Sequence, residues 1–387
     1  MSDFIPAGIY IHIPYCKRKC SYCNFHFSTQ LRSIPDMVLA LGAEISMRKP
    51  EGAVHSMQTI YFGGGTPSLL PVSELAYLIK TVRKCYRTEN IAETTIEVNP
   101  DDVTPEKLKQ WHGLGFDRLS VGIQSFDDAD LQWMNRTHSG AQARYALECI
   151  TSSEFRNTSI DLMYGLPGGS IDKLAGNLER LRTFNIPHFS AYALTTEERT
   201  AMSHWVRKGV LIPETDEDVI AQMDFILDYC IREGFDAYEI SNFCRTGFRS
   251  RHNSAYWDGT PYMGFGPSAH SYDGKRRSWN ASNNAQYLRA INAGQTAHTL
   301  EMLTETDRFN EFVMLNLRRT EGVDLVRLNK EFPAFSKEFL LDMHPLIGRG
   351  EASLVGQTLR LTRSGRHQAD RICVELFRTN DSGLTTN

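Results

Sequence analysis

Three cysteines fall within eight residues, C-K-R-K-C-S-Y-C, at positions 16, 20 and 23. Thiolates this close together on one loop can converge on a soft metal centre. Zinc sites usually join two short-spaced arms, and no second C-x2-C arm follows in the chain. A redox dithiol uses two cysteines and would leave the third idle. A four-iron cluster held by three thiolates leaves one iron open to a chelating ligand, which accounts for the odd count. Zinc and coincidence remain open on spacing alone. Cys85, Cys149, Cys230, Cys244 and Cys373 are scattered and read as small buried hydrophobes or incidental thiols.

The elements that must position the cluster follow from the hydrophobic pattern. Short apolar runs at 8–13, 58–62, 94–98, 118–121, 158–163 and 189–194 predict strands, several of them covered on both faces. Between them, helices are expected over 35–48, 72–86, 105–114, 141–150 and 171–184. The third helix has clear punctuation: Thr104 can cap it, Pro105 suits its first turn and Gly115 its end. Such alternation implies an α/β fold with parallel strands joined by right-handed crossovers. In an open sheet or a barrel alike, the chemistry belongs at the carboxyl ends of the strands. The cysteines follow the first strand, GGGTP the second and residues 99–101 the third.

Further along, a helix is expected over 217–233 and a short strand over 237–240. Residues 241–284 are rich in Gly, Asn, Ser and aromatics and read as a long functional loop layer. From 285 the pattern turns helical and ends in an alternating basic segment, 356–362, expected as a terminal hairpin. The expected division is therefore a core over 1–240, the loop layer over 241–284 and a small helical domain over 285–387.

Composition narrows the function classes. The chain has 387 residues, 41% hydrophobic and 23% charged, ordinary for a globular protein. Lys+Arg 42 against Asp+Glu 46 is too balanced to advertise nucleic acid or an anionic membrane. No apolar run approaches the roughly 18 residues of an integral membrane segment, and nothing at the start reads as a secretion signal. A cytoplasmic location is the expectation, and in that reducing setting a disulfide framework is not.

Five further segments run in order through the chain: YIHIPYC (10–16), YFGGGTPS (61–68), EVNP (97–100), VGIQSF (121–126) and DLMYGLPG (161–168). With the cysteine motif they resemble the oxygen-independent coproporphyrinogen III oxidase-like group of radical S-adenosylmethionine (SAM) enzymes. HNSAYW (252–257) is similar to the HNxxYW motif of the haem-chaperone branch of that group.

The resemblance implies a partial (β/α)6 TIM-like barrel with a small C-terminal helical, winged-helix-like domain. It implies a [4Fe–4S] cluster on Cys16, Cys20 and Cys23, whose open iron takes the amino and carboxylate groups of SAM. Reduction would then cleave SAM to methionine and a 5′-deoxyadenosyl radical. By the same resemblance Tyr10, Gly64 and Glu97 contact that SAM, while Tyr22, Gly65, Thr66, Gln124, Arg136 and Asp161 line the rest of the pocket. Each has an ordinary alternative, Asp161 as a helix cap and Arg136 as a solvated charge. Their order at successive strand ends argues for a shared site.

Two departures bear on the branch. The oxidases place a fourth cysteine two positions after the third, where this chain has Phe25. They also carry an N-terminal arm, for which a first strand beginning near residue 8 leaves no room. HNSAYW implies contact with haem through His252, Asn253, Tyr256 and Trp257, the imidazole on iron and the aromatics on the macrocycle. In the nearby GFGPSAH (264–270), His270 is a second candidate ligand. The expected function is a haem chaperone that delivers haem to acceptor proteins, respiratory ones included, and draws on an electron donor. A homodimer is compatible with this reading. The alternatives are conversion of coproporphyrinogen III to protoporphyrinogen IX by a radical SAM enzyme, and a zinc-bound structural protein.

Overall fold

The computed structural model describes residues 4–379. Six parallel strands carry the frame: β1 (Ile5–Ile13), β2 (His55–Gly64), β3 (Glu93–Val98), β4 (Arg118–Gln124), β5 (Asn157–Tyr164) and β6 (His188–Ala193). They alternate with α1 (Ile34–Met47), α2 (Val72–Cys85), α3 (Pro105–Leu114), α4 (Asp128–Trp133), α5 (Gly140–Thr151) and α6 (Ile171–Thr183). This is the expected partial (β/α)6 barrel. Ile9, Ile11 and Ile13 of β1 are fully buried, as parallel strands covered by crossover helices require. The punctuation of α3 holds too: Thr104 accepts the Lys107 N–H at 3.2 Å, and Gly115 closes the helix at φ 94°.

After α7 (Ala201–Arg207) and α8 (Asp216–Glu233) the chain adds strands to both edges of the sheet. Here β7 (Asn242–Cys244) pairs antiparallel with β6. The helix α9 (Arg251–Trp257) leads to β8 (Tyr262–Phe265), which pairs parallel with β1. A meander continues through β9 (His270–Tyr272), β10 (Arg276–Asn280), α10 (Asn284–Asn292) and β11 (His298–Met302). The segment 241–284, expected as a loop layer, therefore carries four strands and a helix. Its glycines and polar residues hid strands that extend an existing sheet instead of forming one of their own. The strand expected at 237–240 is reduced to single bridges, Asp236 with Cys244 and Glu239 with Arg319.

One buried carboxylate ties the meander to the barrel. Glu44 of α1 accepts from Asn280 Nδ2 (2.7 Å), the Tyr287 hydroxyl (2.6 Å), the Gly266 N–H (2.8 Å) and Arg48 Nη1 (3.3 Å). The same Arg48 nitrogen donates to the Gly264 carbonyl at 2.7 Å. A charge this deep is tolerated because each of its lone pairs is satisfied.

The main hydrophobic core runs from Ala7 to Ile291, so α10 belongs to the barrel side and not to the domain expected from residue 285. A second core, Phe309 to Leu376, gathers α11 (Glu305–Leu317), β12 (Val323–Asp324), α12 (Leu325–Glu331), α13 (Pro333–Gly348), β13 (Ala352–Val355), β14 (Thr358–Leu361), α14 (Arg363–Arg366) and α15 (Ala369–Leu376). Helices around the small β12–β14–β13 sheet reproduce the winged-helix plan. The β13–β14 hairpin is not terminal, because α14 and α15 follow it and α15 supplies Ile372, Cys373 and Leu376 to the core. Among the described residues no helix is long and apolar enough to cross a membrane.

Candidate functional site

At the carboxyl end of β1 the chain leaves the sheet as a loop pinned along its length. Cys16 N–H donates to the Ser28 carbonyl (3.1 Å), Ser28 N–H to Pro14 (2.9 Å), and Ser21 N–H to Met134 (3.1 Å). Lys17 reaches across to the end of β3 and pairs with both Asp101 and Asp102 at 2.6 Å. These ties hold Cys16, Cys20 and Cys23 on the wall of one cavity of about 630 Å3.

The opposite walls come from the ends of β2 to β5. Gly64, at φ 107°, donates its N–H to Glu97 Oε2 at 3.1 Å, and the Tyr61 hydroxyl donates to Glu97 Oε1 at 2.8 Å. A Cβ on Gly65 would lie 2.5 Å from the Tyr15 carbonyl oxygen, so only glycine lets the β2 loop pack on the cysteine loop. The Thr66 hydroxyl lies 3.6 Å from Cys16 Sγ, and Arg136 Nη1 lies 3.5 Å from Cys20 Sγ. Arg136 is fixed by the Gly122 carbonyl (2.6 Å) and Asn99 Oδ1 (2.9 Å). Gln124 is held at φ 68° where β4 departs from register, the kind of backbone strain that collects at working sites. Asp161 and Tyr22 complete the set, so eleven of the expected cluster and SAM residues, all but Tyr10, line this cavity: Cys16, Cys20, Cys23, Tyr22, Gly64, Gly65, Thr66, Glu97, Gln124, Arg136 and Asp161.

Tyr10 is placed differently. Its hydroxyl meets His12 Nδ1 at 3.1 Å, its ring stacks on Tyr61 at 6.0 Å, and it lines a second chamber. Sequence reasoning placed Asn99 and Asp101 at this strand end without giving them partners, and it missed Lys17 and Asp102, since their roles depend on contacts across strand ends. The placement of Asn99 and Asp101 after β3 was the only available signal.

The second chamber, about 600 Å3, opens between the meander and the C-terminal unit. Tyr256 and Trp257 of α9 line it, and Phe25, 72% exposed, belongs to the walls of both cavities. His252, expected on haem iron, lies instead beneath the chamber surface. Its Nδ1 meets Thr59 Oγ1 at 2.7 Å and its Nε2 the Tyr256 hydroxyl at 2.9 Å, which leaves no ring nitrogen for a metal. Burial lowers its pKa to about 3, so the ring is neutral. Asn253 lines neither chamber, and its N–H completes the cap on Ser250. Both residues face away because α9 docks by this edge on β1 and β2, with Glu93 accepting the His252 N–H at 3.0 Å.

The electrostatics of the first cavity follow from burial. Burial lifts Glu97 to about 7 and Asp161 to about 6. Burial also pushes the Cys16 thiol up to about 11, with the Thr66 hydroxyl opposing, and raises Cys23.

Comparison with known proteins agrees with this geometry. Residues 10–181 match the model of the Radical SAM superfamily, and residues 303–367 that of the HemN C-terminal domain. Over 378 residues the chain is 36% identical to "Heme chaperone HemW" of Mycobacterium tuberculosis, covering 95% of this chain and 94% of that protein. The chain belongs to the HemW family of radical SAM proteins. Heme chaperone HemW of Bacillus subtilis is 31% identical over 84% of this chain and 86% of its own length. The fold matches that of coproporphyrinogen III oxidase (HemN) from Escherichia coli with a TM-score of 0.84, over 97% of this chain and 90% of that one, at 22% identity.

Radical SAM membership implies a [4Fe–4S] cluster and SAM, and the HemW-family residues fit that pair. Cys16, Cys20 and Cys23 share one wall, where a four-iron cluster would take each thiolate on a separate iron. A metal centre would convert coordinating thiols to thiolates, and a cationic ligand would favour the ionised form of Glu97 and Asp161.

Proposed function

We propose that this chain is a haem chaperone, holding haem in the aromatic chamber and passing it to acceptor proteins, respiratory ones among them. The observation that carries this reading is the position of Tyr256 and Trp257 on a chamber of about 600 Å3 beside the thiol cavity. That volume lies within the roughly 300–1,000 Å3 of small-molecule and cofactor sites. Two aromatic side chains offer a macrocycle flat contact area with little entropy lost.

In this reading Cys16, Cys20 and Cys23 hold the cluster, and Gly64, Glu97, Gln124, Arg136 and Asp161 surround SAM. When bound, the cluster supplies the electron for reductive cleavage of SAM. The chain's own residues do the rest. Glu97, fixed by Tyr61 and Gly64, presents a carboxylate to cationic or hydroxyl donors of the ligand. Arg136 places a buried positive charge beside Cys20, where negative charge would gather. Phe25, in both walls, supplies an apolar edge where the oxidases carry a further thiol. Through that shared wall, occupancy of one cavity can bias the other by favouring one arrangement of the loop.

The test is anaerobic reconstitution followed by three readouts in one sample: haem binding, haem transfer to an apo-acceptor, and coproporphyrinogen consumption. Stoichiometric haem binding and transfer without porphyrinogen turnover is the expected result. Robust turnover to protoporphyrinogen IX would establish the oxidase alternative in its place.

A further inference from the structure

Four histidines surround the aromatic chamber: His12, His26 and His270 line it, and His252 lies beneath Tyr256. A neutral imidazole can ligate iron only through a ring nitrogen whose lone pair is not already engaged. His12 fails this condition, with Nδ1 against the Tyr10 hydroxyl (3.1 Å) and Nε2 against the His26 carbonyl (3.0 Å). His252 fails it for the reasons given above. His26 donates from Nε2 to Asn284 Oδ1 at 2.7 Å, which leaves Nδ1 as its one open nitrogen and fixes the ring to that partner. The His270 ring makes no hydrogen bond among the described residues.

His270 is also held in place by the sheet. It opens β9, paired with Trp279 of β10, and its ring stacks on the indole at 5.9 Å and 28°. Its backbone is brought against β8 because Gly264 has no side chain: a Cβ there would lie 2.0 Å from the His270 carbonyl oxygen. Gly266, at φ 99°, turns the chain, and its N–H is held by Glu44. The glycines of GFGPSAH thus exist to present this histidine on a rigid strand.

The charges of the chamber suit an amphipathic dianion. Arg277 is paired with Glu311, and Arg327 with Glu331 at 2.8 Å. Arg308 lines the same chamber and makes no ion pair among the described residues. A guanidinium is suited to receiving a carboxylate through two N–H donors.

We propose that His270 is the axial haem ligand of this chamber and that Arg308 receives a haem propionate. The inference rests on the haem-chaperone reading and adds to it the ligand and the anchor. The imidazole donates a lone pair to iron, and no bond breaks and no electron is transferred. Burial, with Arg277 adding to it, lowers the His270 pKa, which keeps that lone pair available at neutral pH.

The test titrates hemin into the full chain and records absorption and electron paramagnetic resonance spectra of wild type and single variants. His270→Ala is expected to lose the histidine-ligated spectrum and at least about tenfold in haem affinity, with added imidazole restoring the spectrum. His26→Ala is expected to retain it. His252→Ala is expected to change affinity without changing the ligation spectrum. Arg308→Gln is expected to weaken haem binding several-fold while leaving haem dimethyl ester, which lacks propionate charge, unaffected. A wild-type spectrum in His270→Ala overturns the ligand assignment alone, and equal haem affinity in Arg308→Gln overturns the anchor. Absence of stoichiometric binding by the wild type would overturn the chaperone reading itself.

Discussion

Tyr61 and His252 stack with ring centroids 4.9 Å apart and planes inclined by 23°, and each lies behind the wall of a different cavity, bonded to a residue that lines it. The Tyr61 hydroxyl donates to Glu97 in the thiol cavity, while His252 Nε2 meets Tyr256 on the aromatic chamber. Two sites far apart in sequence therefore share one continuous wall of rings and hydrogen bonds. Changes on that wall can be directed at either cavity.

Tyr61→Phe keeps the ring stack and removes the donor to Glu97. Hydrogen bonds to charged groups contribute about 1.5–3 kcal/mol, so SAM binding to the reconstituted protein should weaken at least about tenfold. Haem affinity should be unchanged. Calorimetric titration with each ligand separates the two, and unaltered SAM affinity would show that the bond is idle.

The carboxyl pair sets a pH dependence. Folding lifts Glu97 to about 7 and Asp161 to about 6, above their ordinary values, so their contribution to stability without ligand is complete at low pH. It is lost as pH rises from about 4 through those two values. SAM carries a sulfonium and prefers the ionised pair, so its affinity should rise between pH 6 and pH 8, roughly the window in which Glu97 ionises. Glu97→Gln should flatten both the affinity profile and the melting-temperature profile. A wild-type affinity independent of pH would remove Glu97 from ligand binding.

Cys16→Ser, Cys20→Ser or Cys23→Ser should each abolish the brown colour and most of the bound iron after anaerobic reconstitution. Cys85, Cys149, Cys230, Cys244 and Cys373 lie off this cavity, and serine there should leave iron content unchanged. Iron analysis of all eight variants checks the division.

Glu44→Ala strips one of two carboxylate partners from the buried Arg48, and a buried acceptor from Asn280 and Tyr287 at once. Breaking a buried pair costs about 3–5 kcal/mol, and denaturant unfolding should show a loss of that size. Haem binding should fall with it, since Glu44 also holds Gly266 ahead of His270. A loss below about 1 kcal/mol would show that water replaces the network.

The parallel strands, the capped α3 and the three-thiol loop were legible because each is written locally. Apolar runs, Thr104–Pro105–Gly115 and a C-x3-C-x2-C spacing act through neighbours in the chain. The meander was not legible. Gly264, Gly266 and the polar residues that follow them look like a loop until β1 offers an edge for β8 to pair with. The role of His252 was hidden for a related reason. Its imidazole could have faced a ligand or the core, and only Thr59 and Tyr256, brought to its two nitrogens by β2 and by its own helix, decide for the core.

The sequence by itself determined the order of the barrel elements, the three thiols and the placement of the acidic and basic side chains at strand ends, because these depend on local periodicity and spacing. Tertiary structure alone decided that there are two cavities and that Phe25 and the Tyr61–His252 wall lie between them. It alone decided which histidine keeps its nitrogens free. Those properties depend on which partners satisfy each buried polar atom, and such partners come from strands and helices tens to hundreds of residues away.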